Sequence, residues 1–142
     1  MISDQGTGLL ILALHRATHA TLGALQAGLA DLDLTASEIS ALANLADGRA
    51  RSIGELAMDT ATKPTTLTSV LDRLVRRGYV VRQLDPADRR SFQVSLTAGG
   101  RQAAGSARAA VGDIERAVLA TVTSADLAGF HAVPHAIMEV LR

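Results

Sequence analysis

Residues Lys63–Gly78 read KPTTLTSVLDRLVRRG. Their apolar spacing decides how the rest of the chain is understood. Leu67, Val70, Leu71, Leu74 and Val75 stand at i, i+3, i+4, i+7 and i+8, which gathers them into one stripe of an amphipathic helix. The opposite face carries Thr65, Ser69, Asp72, Arg73 and Arg76. Pro64 disfavours helical geometry at the residue before it, so Lys63 is expected as the N-cap, Pro64 as the first helical residue and Gly78 as the residue just past the end. The alternative is that Thr62 caps the helix and Lys63 points to solvent. Short hydroxyls followed by arginines suit a nucleic-acid groove, because Ser and Thr bond base edges or phosphates and Arg forks onto guanine. Taken alone, the same face also fits the solvated side of a core helix.

The neighbours favour the groove. Ser52-Ile53-Gly54-Glu55 is a capping box followed by Leu56, Ala57 and Met58, and the turn Asp59 to Thr62 then leads into the Lys63 stretch. Two short helices joined by a tight turn make a helix-turn-helix. Beyond Gly78, Tyr79–Leu84 and Ser91–Leu96 read as strands, the second alternating with Phe92, Val94 and Leu96 on one face. Between them Asp85-Pro86-Ala87-Asp88-Arg89-Arg90 is a turn with a charged tip. The sum is a winged helix-turn-helix, in which the tip arginines reach toward a minor groove whose negative potential attracts guanidinium groups.

Upstream, Thr35-Ala36-Ser37-Glu38 is a second capping box, opening a helix with Ile39, Leu42, Ala43 and Ala46 inward and closing at Asp47-Gly48. Residues 8–30 are Ala/Leu-rich, with Ile11, Leu14, Leu22, Leu25 and Leu29 on one side and apolar groups well beyond one stripe. Such a helix is expected to be buried on several sides, as packing against a second copy achieves. Downstream, residues 98–122 read as a long Ala-rich helix containing Gly99, Gly100, Gly105 and Gly112, each costing roughly 1 kcal/mol of propensity against alanine. Thr123-Ser124-Ala125-Asp126 caps a last helix running through Leu141 and carrying Leu127, Phe130, Val133 and Ile137. Pro134 predicts a kink or break inside it.

Composition bounds the function classes. The chain has 142 residues, 48% hydrophobic content and zero formal net charge, enough for one core but with no global basic signal. The charge is instead partitioned. Arg51 to Arg90 holds eight Lys/Arg against five Asp/Glu, a net of +3, which leaves −3 for the remainder. The absence of cysteine excludes disulfides, thiolate zinc sites and thiol redox sensing. No positive region precedes the short apolar run Gly8–Ala13 and no segment approaches a membrane span, so a cytoplasmic location and no membrane partner are expected. Walker-type, GxSxG and GxGxxG motifs are missing, so no enzyme activity, catalytic residue or cofactor is expected. The four histidines form two i, i+4 pairs, His15 with His19 and His131 with His135. Neither pair includes a carboxylate, and no metal site is expected.

At Asp88-Arg89-Arg90-Ser91-Phe92-Gln93-Val94-Ser95-Leu96-Thr97, followed by Gly100, the sequence resembles the wing of the MarR family of bacterial transcriptional regulators, whose pattern is D-R-R-x-x-x-V-x-L-T-x-x-G. Thr66–Leu74 running into Arg77-Gly78-Tyr79-Val80 is similar to that family's recognition helix. The resemblance implies a mainly α (α+β) chain. Residues 31–97 would form the winged helix-turn-helix DNA-binding domain, and residues 1–30 and 98–142 an all-helical dimerisation region built from both termini. It implies a homodimeric, ligand-responsive repressor that binds double-stranded DNA at an inverted-repeat operator and answers to a small-molecule effector.

The expected DNA-binding residues are Lys63, Pro64, Thr65, Thr66, Thr68, Ser69, Arg73 and Arg76 on the helix and Asp88, Arg89 and Arg90 on the wing. By resemblance Arg90 is the inserted arginine and Asp88 the carboxylate that orients it. The chain departs from the family at Lys63, where a serine cap is usual, and at Ser69, where arginine is common. Its only aromatics are Tyr79, Phe92 and Phe130, few for a site that takes aromatic acids. A winged-helix module that binds protein instead of DNA is the alternative from another class.

Overall fold

The computed structural model of the chain describes residues 9–142. Gly8, expected at the head of the first helix, and the residues before it lie outside the described part. The elements in order are α1 (Leu10–Gly28), a single 3-10 turn (Ala30–Leu32), α2 (Ala36–Leu45), β1 (Arg51–Ser52), α3 (Ile53–Asp59), α4 (Pro64–Arg76), β2 (Val80–Leu84), β3 (Phe92–Leu96), α5 (Ala98–Leu119) and α6 (Ser124–Val140). They fall into two compact units divided inside α5, one ending at Val111 and the other beginning at Gly112.

Both expected capping boxes form in the first unit. Thr35 Oγ1 accepts from the Glu38 amide and Glu38 Oε2 from the Thr35 amide, each at 3.2 Å. Ser52 and Glu55 do the same at 3.1 and 2.9 Å. The core is aliphatic, with Ile39, Leu42 and Leu45 of α2, Leu56 of α3, Leu67, Leu71 and Leu74 of α4, Val80 of β2 and Val94 of β3. Burial of each such side chain contributes about 1.5–3 kcal/mol. Val75, expected inward, is 39% exposed. The reason is geometric: α2, α3 and β2 pack around α4 and cover Leu67, Val70, Leu71 and Leu74, and Val75 lies beyond that cover.

The hairpin is part of a three-stranded antiparallel sheet in the order β1-β3-β2. Arg51 pairs with Val94 and Ser52 with Gln93, while β2 and β3 pair from Val80–Leu96 out to Leu84–Phe92. β1 has two residues and no readable period, so it was invisible as a strand. Of Phe92, Val94 and Leu96, which share one face of β3, Val94 is buried, Leu96 half-buried and Phe92 49% exposed. Phe92 sits where the hairpin leaves the body and has little to pack against.

Thr97 and Gly100 fasten α5 to the end of α4. Thr97 Oγ1 donates to the Gly78 carbonyl at 2.5 Å and accepts from the Gly100 amide at 2.9 Å, while the Thr97 amide donates to Tyr79 O at 3.0 Å. A Cβ at position 100 would lie 1.7 Å from Tyr79 O, so only glycine admits this approach. Gly78, at φ +75°, supplies the left-handed turn just before it.

In the second unit, α6 opens with a capping box in which Thr123 Oγ1 accepts from the Asp126 amide at 3.1 Å. Of the expected kink or break, the break does not occur, since the helix continues through Pro134. A proline removes one backbone donor, and α6 keeps its bonds on either side of that gap. No helix among the described residues is long and apolar enough to cross a membrane.

Gly100→Ala should cost about 3 kcal/mol or more through overpacking against backbone. Gly105→Ala, in the same helix and with nothing within 4 Å of the new methyl, should gain about 0.5–1 kcal/mol. Thermal melts of the two variants check the pair, and an unchanged melting temperature for Gly100→Ala would show that the close approach is absent.

Candidate nucleic-acid interface

At about 100° per residue, Thr65, Ser69, Asp72 and Arg76 fall along the middle of the α4 face that points away from the core, and all four are exposed. Arg73 and Arg77 border this strip on one side and Thr68 borders it on the other. Each border is clamped to a different neighbour.

On the Arg73 side the clamp is an acid. Arg73 Nε donates to Glu38 Oε1 at 2.7 Å, and Glu38 is 3% exposed. Arg77 approaches Glu38 Oε2 at 3.8 Å, donates to the Asp33 carbonyl at 2.6 Å and to the Leu32 carbonyl, and lies over the Tyr79 ring at 5.3 Å. On the other side, Arg82 of β2 pairs with Asp72 at 2.7 Å and donates to Thr68 O at 3.3 Å. The wing strand is thereby tied to the helix.

At its N-terminus Lys63 occupies the N-cap position in extended geometry (φ −63°, ψ 140°), with Pro64 following. Its side chain makes no cap bond. The alternative of a Thr62 cap is overturned, since Thr62 Oγ1 donates instead to the Thr60 carbonyl at 3.2 Å. The N-terminal amides of α4 therefore have no side-chain acceptor among the described residues and, with the helix dipole, present a partial positive charge. Thr68 donates its hydroxyl to Pro64 O at 2.9 Å, which occupies its proton but leaves a lone pair outward.

The wing tip is held from within. The Asp85 amide donates to Ser91 O at 2.9 Å, the Ser91 amide to Asp88 O at 3.0 Å, and the Ala87 amide to Asp85 Oδ1 at 2.8 Å. Asp88 Oδ1 accepts from the Arg90 amide at 3.0 Å. Asp88 thus holds the backbone of Arg90 and not its guanidinium. Arg89 and Arg90 are both exposed, and neither has an ion-pair partner among the described residues.

The basic middle of the sequence is therefore sorted into two groups. Arg51, Arg73, Arg77 and Arg82 are paired. Arg51 grips Asp47 at 2.6 Å and Asp59 at 2.9 Å, and the bonds from Arg51 and the Arg49 amide hold the Asp47 carboxyl down to about 2. Lys63, Arg76, Arg89 and Arg90 are unpaired among the described residues and stand on α4 and the wing tip. Sequence reasoning missed Glu38, Arg77 and Arg82 as parts of this arrangement. In the sequence Glu38 is visible only as the closing residue of a capping box, and its partner lies 35 positions away, beyond any local period.

Two hollows accompany these surfaces. A cleft of about 430 Å³ in the first unit is lined by Gln26, Thr35, Glu38, Arg73, Arg76 and Arg77. One of about 390 Å³ in the second is lined mainly by Val118, Leu119, Val122, Leu127 and Phe130. The histidines of both pairs are exposed, and no group of three or more metal-capable side chains occurs among the described residues.

The family model described as the MarR family matches residues 34–92, which span α2 to the start of β3. The HTH-type transcriptional repressor Rv2887 of Mycobacterium tuberculosis is 35% identical over 98 residues, 69% of this chain and 70% of that protein. The transcriptional repressor CouR, solved bound to a 23-mer DNA duplex, superposes with a TM-score of 0.71 at 27% identity, covering 99% of this chain and 100% of that one. CouR from Rhodococcus jostii RHA1 bound to p-coumaroyl-CoA superposes with a TM-score of 0.82 at 25% identity, covering 95% of each chain.

Lys63→Ser should restore a side-chain acceptor for the first amides of α4 and raise stability by about 0.5–2 kcal/mol. Urea titration of the two proteins reads the gain. A loss of stability would mean that the lysine has a structural partner in the free protein.

Proposed function

The chain belongs to the MarR family, and on that footing we propose that it is a ligand-responsive, homodimeric transcriptional repressor that binds duplex DNA. Its curated relatives include an HTH-type transcriptional repressor and an HTH-type transcriptional regulator. The observation that carries the reading is that the four cations between Arg51 and Arg90 that have no ion pair among the described residues, Lys63, Arg76, Arg89 and Arg90, all stand on the two elements a winged helix offers to DNA. In this reading α4 enters the major groove with Thr65, Thr66 and Ser69 toward base edges and Pro64 and Thr68 at the rim. Arg76 and Lys63 meet phosphates, Lys63 together with the open helix N-terminus. Arg90 enters the minor groove, its backbone set by Asp88, with Arg89 beside it.

The domain division follows from function: residues 31–97 read DNA and residues 1–30 and 98–142 join two copies. Large apolar side chains exposed at both ends of the described chain support the dimer, among them Leu9, Leu10, Ile11 and Leu12 before and along α1 and Phe130, Met138, Val140 and Leu141 in the last segment. A two-fold protein reads a two-fold operator, so the site is an inverted repeat. The cleft beside α4 has the volume of a small-molecule site and is the candidate seat of the effector. On this reading the protein works where its duplex DNA is, in the cytoplasm. A protein-binding winged helix is the weaker reading, since four unpaired cations on a reading face have no use in it.

Arg90→Ala should weaken binding to many operators by about tenfold, lower the salt slope by about one unit and leave the core sequence preference intact. Isotherms at several salt concentrations for folded wild type, Arg90→Ala and Arg89→Ala measure this. Undiminished affinity in Arg90→Ala refutes the wing assignment, and a loss confined to Arg89→Ala moves the inserted residue by one position. Separately, sedimentation at micromolar concentration should give a dimer, and a monomer would contradict the assembly.

A further inference from the structure

We propose that Glu38 is a positioning residue for DNA reading, which fixes the rotation of α4 about its own axis through Arg73 and Arg77, and that Arg73 serves this hold and not the bases. The inference rests on the DNA-binding reading above but assigns roles that it does not contain. Glu38 is the only buried charged side chain among the described residues. A buried carboxylate is costly unless paired and hydrogen-bonded. Both of its oxygens are occupied: Oε1 accepts from Arg73 Nε at 2.7 Å, and Oε2 accepts from the Thr35 amide at 3.2 Å and faces Arg77 at 3.8 Å.

Its own position is fixed. The capping box holds it in the first turn of α2, and the next residue, Ile39, is buried. The two arginines are four residues apart, Arg73 in the last turn of α4 and Arg77 at its C-cap, so they approach the acid from consecutive turns and determine both rotation and height. With side chains a helix has a radius of about 5–6 Å, so a turn of about 20° shifts a side-chain tip by about 2 Å. That shift breaks the Arg73 bond and moves Ser69 equally far from a base edge. Pairing also cancels the charge of Arg73, which leaves Arg76 as the free guanidinium of α4.

Binding isotherms at several salt concentrations and base-preference profiles would be measured for wild type, Glu38→Gln, Arg73→Met, the double variant and Arg76→Met, each checked for folding by circular dichroism. Each single change at 38 or 73 should weaken binding by roughly tenfold and broaden the base preference in the same way, and the double variant should lose no more than either alone. Arg73→Met should leave the salt slope unchanged while Arg76→Met lowers it by about one unit. Multiplying losses, or a unit drop in slope for Arg73→Met, overturns the inference and makes Arg73 a direct DNA contact. If Glu38→Gln does not fold, Arg73→Lys replaces it, because lysine keeps the charge but lacks the Nε donor. It should weaken binding as Arg73→Met does, and full affinity would overturn the proposal. Absence of salt-dependent binding by wild type would instead remove the DNA reading itself.

Discussion

A helix that reads a groove must be held firmly by every face except the one it reads, and in this chain that constraint is met by packing beneath α4 and ion pairs along its borders. Leu67, Val70, Leu71 and Leu74 anchor the inner face. Glu38 holds one border through Arg73, and Arg82 holds the other through Asp72. The exposed Arg82–Asp72 pair contributes little to stability, about 0–1 kcal/mol, and the Glu38–Arg73 pair must first offset the burial of its carboxylate. What these pairs supply is direction. The apolar stripe alone fixes the depth of α4 but tolerates small rotations, which the Arg73–Glu38 hydrogen bond at 2.7 Å on one border and the Arg82–Asp72 ion pair at 2.7 Å on the other oppose.

The same pairs organise the charge. The chain is neutral overall, and its basic middle would give only a diffuse field if every cation were free. Instead half of those cations are paired with acids, three of them with acids outside α4 and Arg82 with Asp72 of α4, and the free ones stand on α4 and the wing tip. Asp72, an acid on the reading face, is matched by Arg82, so it does not repel a phosphate backbone. The wing follows the same logic with backbone bonds. Asp85 and Asp88 accept from amides of the turn, which leaves the arginine side chains at the tip unpaired.

Much of this was legible in the sequence because it is local. The capping boxes at Thr35, Ser52 and Thr123, the Lys63-Pro64 start of α4 and the turn at Gly78 all depend on residues within four positions of one another, and all appear where the spacing places them. Three features were not legible. β1 is two residues long and exists only because β3 passes beside it. Val75 obeys the helical period, yet neighbours supplied by distant segments decide whether it is covered. The Glu38–Arg73 pair joins residues from two helices, and Arg73 viewed in sequence looks like another groove-facing arginine. Gly100 lies between these cases, since its place in a resemblance was visible while its cause, the Tyr79 carbonyl, was not.

The central claim is that two copies of this arrangement read DNA, and selection of bound duplexes from a random pool tests it most directly. The account predicts convergence on an inverted repeat whose half-site centres lie about 10 base pairs apart, with affinity falling steeply as salt is raised. Recovery of unrelated sequences, of single or directly repeated half-sites, or of binding indifferent to salt would contradict it.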